Sequence, residues 1–279
     1  MAATTLDHVG IAGRDLGPLA AAYEALGFTL SPFAQHHAPG QDGVVRPIGT
    51  GNRCAMLRKG YLELIAVVDP ALPSNTLDRF LARYEGLHIV AFGIEDAEAE
   101  LSRLRGLGLA VPGIAWLERP VDTPGGTRTA RFARLPLPEA PEGRVQLIRH
   151  LTPELLWQEG LLEHANRAVS LDETILAVED PAEVAGRFGR LVGAGPEAVP
   201  GGYVLRLGEG ALRILAPEQA QALLPGLVIP CLPFIAGLVL GTDDGGRAAA
   251  RLMGSLARRE EAGLVVPAGA AGGATLVFR

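Results

Sequence analysis

Two side chains in this 279-residue chain sit where polar groups need a reason: His8 in the apolar stretch LDHVGIAGRD and Glu63 in YLELIAV. A histidine in such a strand is either a hydrogen-bonded core residue or a metal ligand. A carboxylate inside an apolar strand is expensive to bury without a metal or a cation, and Arg46 or Arg53 could serve as the cation. His36 and His37, in PFAQHHAPGQDG, read as a solvated loop. Neighbours on an extended chain point to opposite sides, so at most one reaches a site; His37 is the candidate general acid or base. Asn52 and Arg53, in GTGNR, are candidates for orienting a carboxylate-bearing substrate, and no helix start follows those glycines to make a phosphate cradle. Arg128, Arg131 and Arg134 read as solvating a sheet edge rather than binding an anion, His150 and His164 as structural hydrogen-bonding groups, and Trp157 as a packing anchor between the halves.

The composition narrows the class. Hydrophobic residues make up 48% of the chain, enough for a packed core, and 25 basic against 31 acidic residues without a long charge run argue against a nucleic-acid or anionic-membrane surface. A small molecule is the expected partner. Cys54 and Cys231 fall in no CxxC pattern, which argues against a disulfide framework or thiolate zinc site and fits a reducing cytoplasm. Neither a signal-peptide pattern nor an apolar run of membrane-spanning length is present in the sequence given.

The elements that must position these residues repeat. An apolar strand, an acid, an amphipathic helix and a stopping glycine occur at LDHVGIAGRDLGPLAAAYEALGF, at GLHIVAFGIEDAEAELSRLRGLGL, at DETILAVEDPAEVAGRFGRLVGAG and, more weakly, at FIAGLVLGTDDGGRAAARLMGSLARREEAG. Asp15, Asp96, Asp180 and Asp243 are the four cap candidates, nearly evenly spaced over the first three and closer for the fourth. Leu252 and Leu256 should face inward in the fourth copy. Strand-like runs follow each helix, with turns at Arg58-Lys59-Gly60 and Gly208-Glu209-Gly210, so each unit reads β-α-β-β-β. Alternation places Tyr61, Glu63 and Ile65 on one face, and Gln146, Ile148 and His150 on another. A short helix capped by Ser74 or Asn75 links the first two units. A second connector starts at Thr152, with Pro153 opening a helix. The expected fold class is α+β, four tandem βαβββ modules divided into domains 1-167 and 168-279.

Tandem βαβββ units whose strands curl into half-barrels resemble the vicinal oxygen chelate (VOC) superfamily of glyoxalases and extradiol dioxygenases. LDHVGIAGRD, the glycines of IGTGNRCAML, YLELIAV and RHLTPELLWQEGLLEHANRA resemble its glyoxalase-like domain group, over residues 4 to 185. The resemblance implies a cavity lined by first and last strands of a module pair, with a divalent metal held by one residue from each. Carried over, these are His8 and His88 on first strands and Glu63 and Gln146 on last strands. The separation of His8 from Glu63 closely matches that of His88 from Gln146. Two imidazoles, a carboxylate and an amide suit Fe, Mn, Zn or Ni. Gln146 is the weak member, so His8, His88 and Glu63 would carry the metal if the amide did not. In the second half Glu173, Arg213, Ile235 and Thr275 take the corresponding positions and are no ligand set, which leaves that half as scaffold, lid or surface of a homodimer. The implied function is a metal-dependent lyase, isomerase or dioxygenase acting on a small oxygen-bearing substrate, with Glu63 as base. The alternative is a metal-free binding or sequestering protein on the same fold.

Overall fold

A computed structural model describes residues 3–39, 44–137 and 140–279. The first module runs β1 (Thr5–Gly13), α1 (Leu16–Ala25), β2 (Ala34–Pro39), β3 (Val45–Met56) and β4 (Tyr61–Val67). After α2 (Leu77–Leu81), the second runs β5 (Gly86–Gly93), α3 (Ala97–Gly106), β6 (Ala115–Thr123), β7 (Gly126–Leu137) and β8 (Arg144–His150). The third comprises β9 (Ala168–Ala177), α4 (Pro181–Val192), β10 (Glu197–Val199), β11 (Gly202–Arg206) and β12 (Ala211–Leu215). Beyond α5 (Pro217–Leu223), the fourth comprises β13 (Phe234–Thr242), α6 (Arg247–Met253), β14 (Arg258–Glu260), β15 (Gly263–Val266) and β16 (Thr275–Phe278). This is the α+β fold of βαβββ modules expected from the repeats.

Modules pair into two eight-stranded sheets, β2-β3-β4-β1-β5-β8-β7-β6 and β10-β11-β12-β9-β13-β16-β15-β14. Each module's first strand runs parallel to its own last strand, and the two first strands of a sheet meet antiparallel at its centre. The pair is therefore related by a local two-fold.

The caps follow the repeat in three cases. Asp15 accepts from the Gly17 N–H, Asp96 from Glu98 and Ala99, and Asp180 from Ala182 and Glu183, satisfying donors that a helix start leaves free. The fourth unit departs: Asp244 takes the Arg247 and Ala248 N–H groups, while Asp243 pairs with Arg167. Gly245 and Gly246, both at positive φ, delay the helix and shift its phase, so Ala249 and Met253 are buried and Leu252 and Leu256 are exposed. α2 starts at a left-handed Thr76 without a side-chain cap, since Ser74 donates to the Asp78 carboxylate instead. The connector from Thr152 forms two single 3-10 turns, Pro153–Leu155 and Glu159–Leu161, rather than a helix.

One apolar core runs through both halves. Tyr23 of α1, Leu104 of α3, Phe188 of α4 and Met253 of α6 belong to the same cluster as Val9, Phe92, Leu176 and Phe278 of the two sheets. The opposite face of the second sheet is filled by Ala220 and Leu224 from α5 and its end, packed with Phe234 on Ile175, Val265 and Val277. Glu173 and Arg213 form an ion pair at 2.8 Å, Ile235 joins the shared core and Thr275 is buried. The halves also meet at Gly86, at φ +141°, where an added Cβ would lie 2.6 Å from the Gly273 carbonyl oxygen. Gly86→Ala is expected to destabilise the chain by about 2 kcal/mol or more, read from urea unfolding.

Candidate functional site

The free face of the first sheet encloses a cavity of about 540 Å³, a size suited to a small organic molecule. Strand alternation aims its walls. β4 presents Tyr61 and Glu63, β3 presents Asn52 and Cys54, β8 presents Arg144, Gln146 and Ile148, and β7 presents Phe132 and Arg134.

His8 enters from β1, and the residue before it is part of the same arrangement. The β1–β5 ladder steps from Leu6–Phe92 directly to His8–Ala91, leaving Asp7 as the extra residue of a bulge. A bulge re-aims a side chain that strict alternation would send to the other face. Asp7 thereby lies 2.6 Å from His8 Nδ1 and 3.0 Å from His150 Nε2. Burial opposes its charge, but the imidazoles of His150 and His8 outweigh that and hold the carboxyl well below the usual carboxylate range. An ionised carboxylate only accepts, so the ring nitrogens facing it carry the protons. His8 Nε2 is left as the acceptor, facing the cavity and 3.3 Å from the Gln146 amide nitrogen. Tyr61 stacks on the His8 ring at 4.4 Å and Trp157 packs edge-on against Tyr61 and His150, donating to the Leu57 carbonyl. Trp157 thus braces the first sheet rather than anchoring the two halves. His164 is structural, bonded to Thr29 N–H and Met56 carbonyl.

Glu63 accepts from Asn52 Nδ2 at 2.6 Å and lies 3.6 Å from His36 Nε2. Burial presses its pKa upward, yet His36, His8 and Asn52 bring it below the ordinary value, so the carboxyl stays ionised. His36 and His37 are on a strand, not a loop. The bulge between Gln35 and His37 brings both to the cavity, but His36 faces Glu63 while His37 bonds back to the Gln35 carbonyl. Burial lowers the His36 pKa. Arg53, adjacent to Asn52, faces the other way and holds Ser31 O and Glu24, with no part in the cavity wall.

His88 does not reach the cavity. Its ring stacks on Tyr84 at 4.0 Å and on Phe80, Nε2 bonds the Tyr84 carbonyl, and burial pulls its pKa down to about 4. It is a neutral core histidine. The register explains this: β1 sets His8 opposite Tyr61, with Glu63 two positions on, and β5 sets Ile89 opposite Arg144, with Gln146 two positions on. Ile89, not His88, is the counterpart of His8. Asp96 follows Asp15 by one position more than His88 follows His8, and a slip of one reverses the face of a strand.

The same two-fold relates Tyr61 to Arg144, Glu63 to Gln146 and Asn52 to Arg134. The first module supplies proton acceptors and the second supplies cations, with Arg119 from β6 added. Arg134 is therefore no edge residue, since β7 lies between β6 and β8. Asp7, His36 and Arg144 are site residues that the sequence alone does not single out. Two available signals are the acid–histidine dipeptide and the placement of Arg144 two positions before Gln146.

The family model described as "Glyoxalase-like domain" matches residues 6–192, more than half of the chain. This chain belongs to the glyoxalase-like domain family. Its fold is that of the VOC superfamily. The crystal structure of a hypothetical protein from Staphylococcus aureus aligns over 99% of this chain and 98% of its own, at 12% identity and TM-score 0.70. A mutant 4-hydroxymandelate synthase from Streptomyces coelicolor aligns over 100% and 92%, at 14% and 0.56. The Mn(II)-bound glyoxalase from Novosphingobium aromaticivorans aligns over 99% and 82%, at 13% and 0.56. No curated protein matches the sequence.

The residues of this glyoxalase-like domain do not fit the divalent metal that the superfamily suggests. Of His8, Glu63, His88 and Gln146, only three reach the cavity, and Ile89 occupies the fourth place. Among the described residues no group of three His, Cys, Asp or Glu side chains could hold a metal ion. Glu63 Oε1 is engaged by Asn52, and the remaining donor is a neutral amide. Cys54, its thiol pushed up to about 12 by burial, adds no thiolate.

Proposed function

We propose that the cavity of the first sheet receives a small oxygen-bearing molecule and moves a proton on it with side chains alone, as an isomerase or lyase would, without a divalent metal. The observation that carries this is the bulge at Asp7, which holds the His8 ring with its acceptor Nε2 toward the cavity, beside the Gln146 amide. A buried carboxylate aligning an imidazole sets the tautomer and steadies the charge that forms when Nε2 takes a proton. In such a step the C–H proton passes to His8 Nε2 and the electron pair moves onto the adjacent carbonyl oxygen. Glu63, kept ionised, is the second acceptor.

The test is solvent-deuterium exchange, followed by NMR, into a panel of small carbonyl and hydroxy acids with chelator-treated protein. Exchange is expected without added metal, and His8→Asn should slow it about a hundredfold or more. Arg53→Ala, outside the cavity, should leave it unchanged. Exchange that requires added Mn, Fe, Zn or Ni would overturn the proposal. Binding without exchange would favour the metal-free binding or sequestering alternative.

A further inference from the structure

We propose that Arg134 and Arg144 form an anion subsite in this cavity, and that its ligand is an organic carboxylate that also bears a hydroxyl group. This rests on the cavity being a small-molecule site and names the class of molecule. Two buried polar atoms there have no partner: Arg134 Nε, a donor, and Gln146 Oε1, an acceptor. Buried groups of this kind are normally paired, and leaving them bare is costly. The Arg144 guanidinium is oriented by the neutral Asn75 carbonyl and the Thr76 hydroxyl, which fix it without cancelling its charge. Arg119 lies over the Phe132 ring, 5.9 Å from its centre. Among the described residues two carboxylates line the cavity: Glu63 is taken by Asn52 and His36, and Glu118 pairs with Arg131 at 3.7 Å. Among the described residues, Arg119, Arg134 and Arg144 thus line the cavity with no carboxylate in an ion pair to any of them.

A ligand carboxylate supplies the missing charge to Arg134 and Arg144, and guanidinium is the cation best shaped for a planar two-oxygen anion. A ligand hydroxyl supplies the missing proton to Gln146 Oε1. Ile48, Ile114, Leu117 and Ile148 leave apolar wall for the rest of the molecule. The division follows the module two-fold: Asn52 is replaced by Arg134 and Tyr61 by Arg144, so the second module grips what the first acts on.

The experiment is calorimetric titration of the full chain with lactate and 3-phenyllactate, the amide of each, 3-phenylpropanoate, and inorganic phosphate. In the wild type at least one hydroxy acid should bind about tenfold or more tightly than its amide. 3-Phenylpropanoate should bind more weakly than 3-phenyllactate. Arg134→Gln and Arg144→Gln should each reduce the acid preference severalfold with amide binding unchanged, and Arg134→Lys should restore part of it. Arg134→Gln should also raise the melting temperature of ligand-free protein by about 2 °C, the opposite of losing a structural contact. No acid preference anywhere in the panel, or a preference untouched by either substitution, overturns the subsite. Phosphate binding as tightly as the best acid, and lost in Arg134→Gln, overturns the carboxylate in favour of a phosphate-bearing ligand. Acid preference that survives in His8→Asn keeps this result separate from the proton chemistry: the base can fail while the subsite stands.

Discussion

Asp7→Asn is expected to damage stability and function together. The amide leaves His150 and His8 without their shared anion in a buried setting, where removing one member of a pair costs about 3 kcal/mol. It also replaces one of the two acceptor oxygens facing the imidazoles with an NH2 donor, so the His8 tautomer is no longer fixed and deuterium exchange should fall about a hundredfold or more. The pH dependence has a definite sign. The folded-state pKa of Asp7 is depressed below its unfolded value, so its contribution is fully present above about pH 4 and is lost as the pH falls further. Wild-type stability should decline in that acid range, and Asp7→Asn should decline less steeply. Urea unfolding between pH 7 and pH 3 measures both the offset and the slope. Parallel slopes would mean that folding leaves the Asp7 pKa unchanged, contrary to this account.

The second large effect is a gain. Ile89 stands where the two-fold of the first sheet would put a partner for His8, and Gln146 stands where it would put a partner for Glu63. Ile89→His combined with Gln146→Glu should therefore assemble two imidazoles and two carboxylates around one point. Replacing the buried Ile89 costs about 2 kcal/mol or more. In exchange the double variant should bind Mn(II) or Zn(II) one to one with an affinity on the order of micromolar. A His8→Ala change in that background should remove the binding. The parallel variant His88→Ala should leave it intact, because the His88 ring lies between Phe80 and Tyr84.

The architecture is legible in the sequence because it rests on repeated local signals. Asp15, Asp96 and Asp180 each precede a helix by the spacing that caps require, and strand alternation assigns Tyr61, Glu63, Gln146 and Ile148 to the faces they occupy. The sequence misleads where a single position changes the answer. His8 and His88 fall one position short of the distance at which the caps Asp15 and Asp96 repeat, and the true counterpart of His8 is the apolar Ile89. Arg53 shares a motif with Asn52, yet neighbours on a strand face opposite ways. Bulges work in the other direction. Asp7, and His36 with His37, break strict alternation at irregular ladder positions that depend on pairing across strands. Those pairings are tertiary facts, and the local pattern carries no trace of them. The cation wall is hidden for a similar reason: Arg119, Arg134 and Arg144 come from three strands whose adjacency only the sheet order reveals.

The most direct measurement is calorimetric titration of chelator-treated wild-type protein with Mn(II) and Zn(II). With Ile89 in the fourth position and Glu63 held by Asn52, no saturable one-to-one binding tighter than about 1 mM is expected. One-to-one binding near micromolar that disappears in both His8→Ala and Glu63→Ala would contradict a cavity that works through its own side chains.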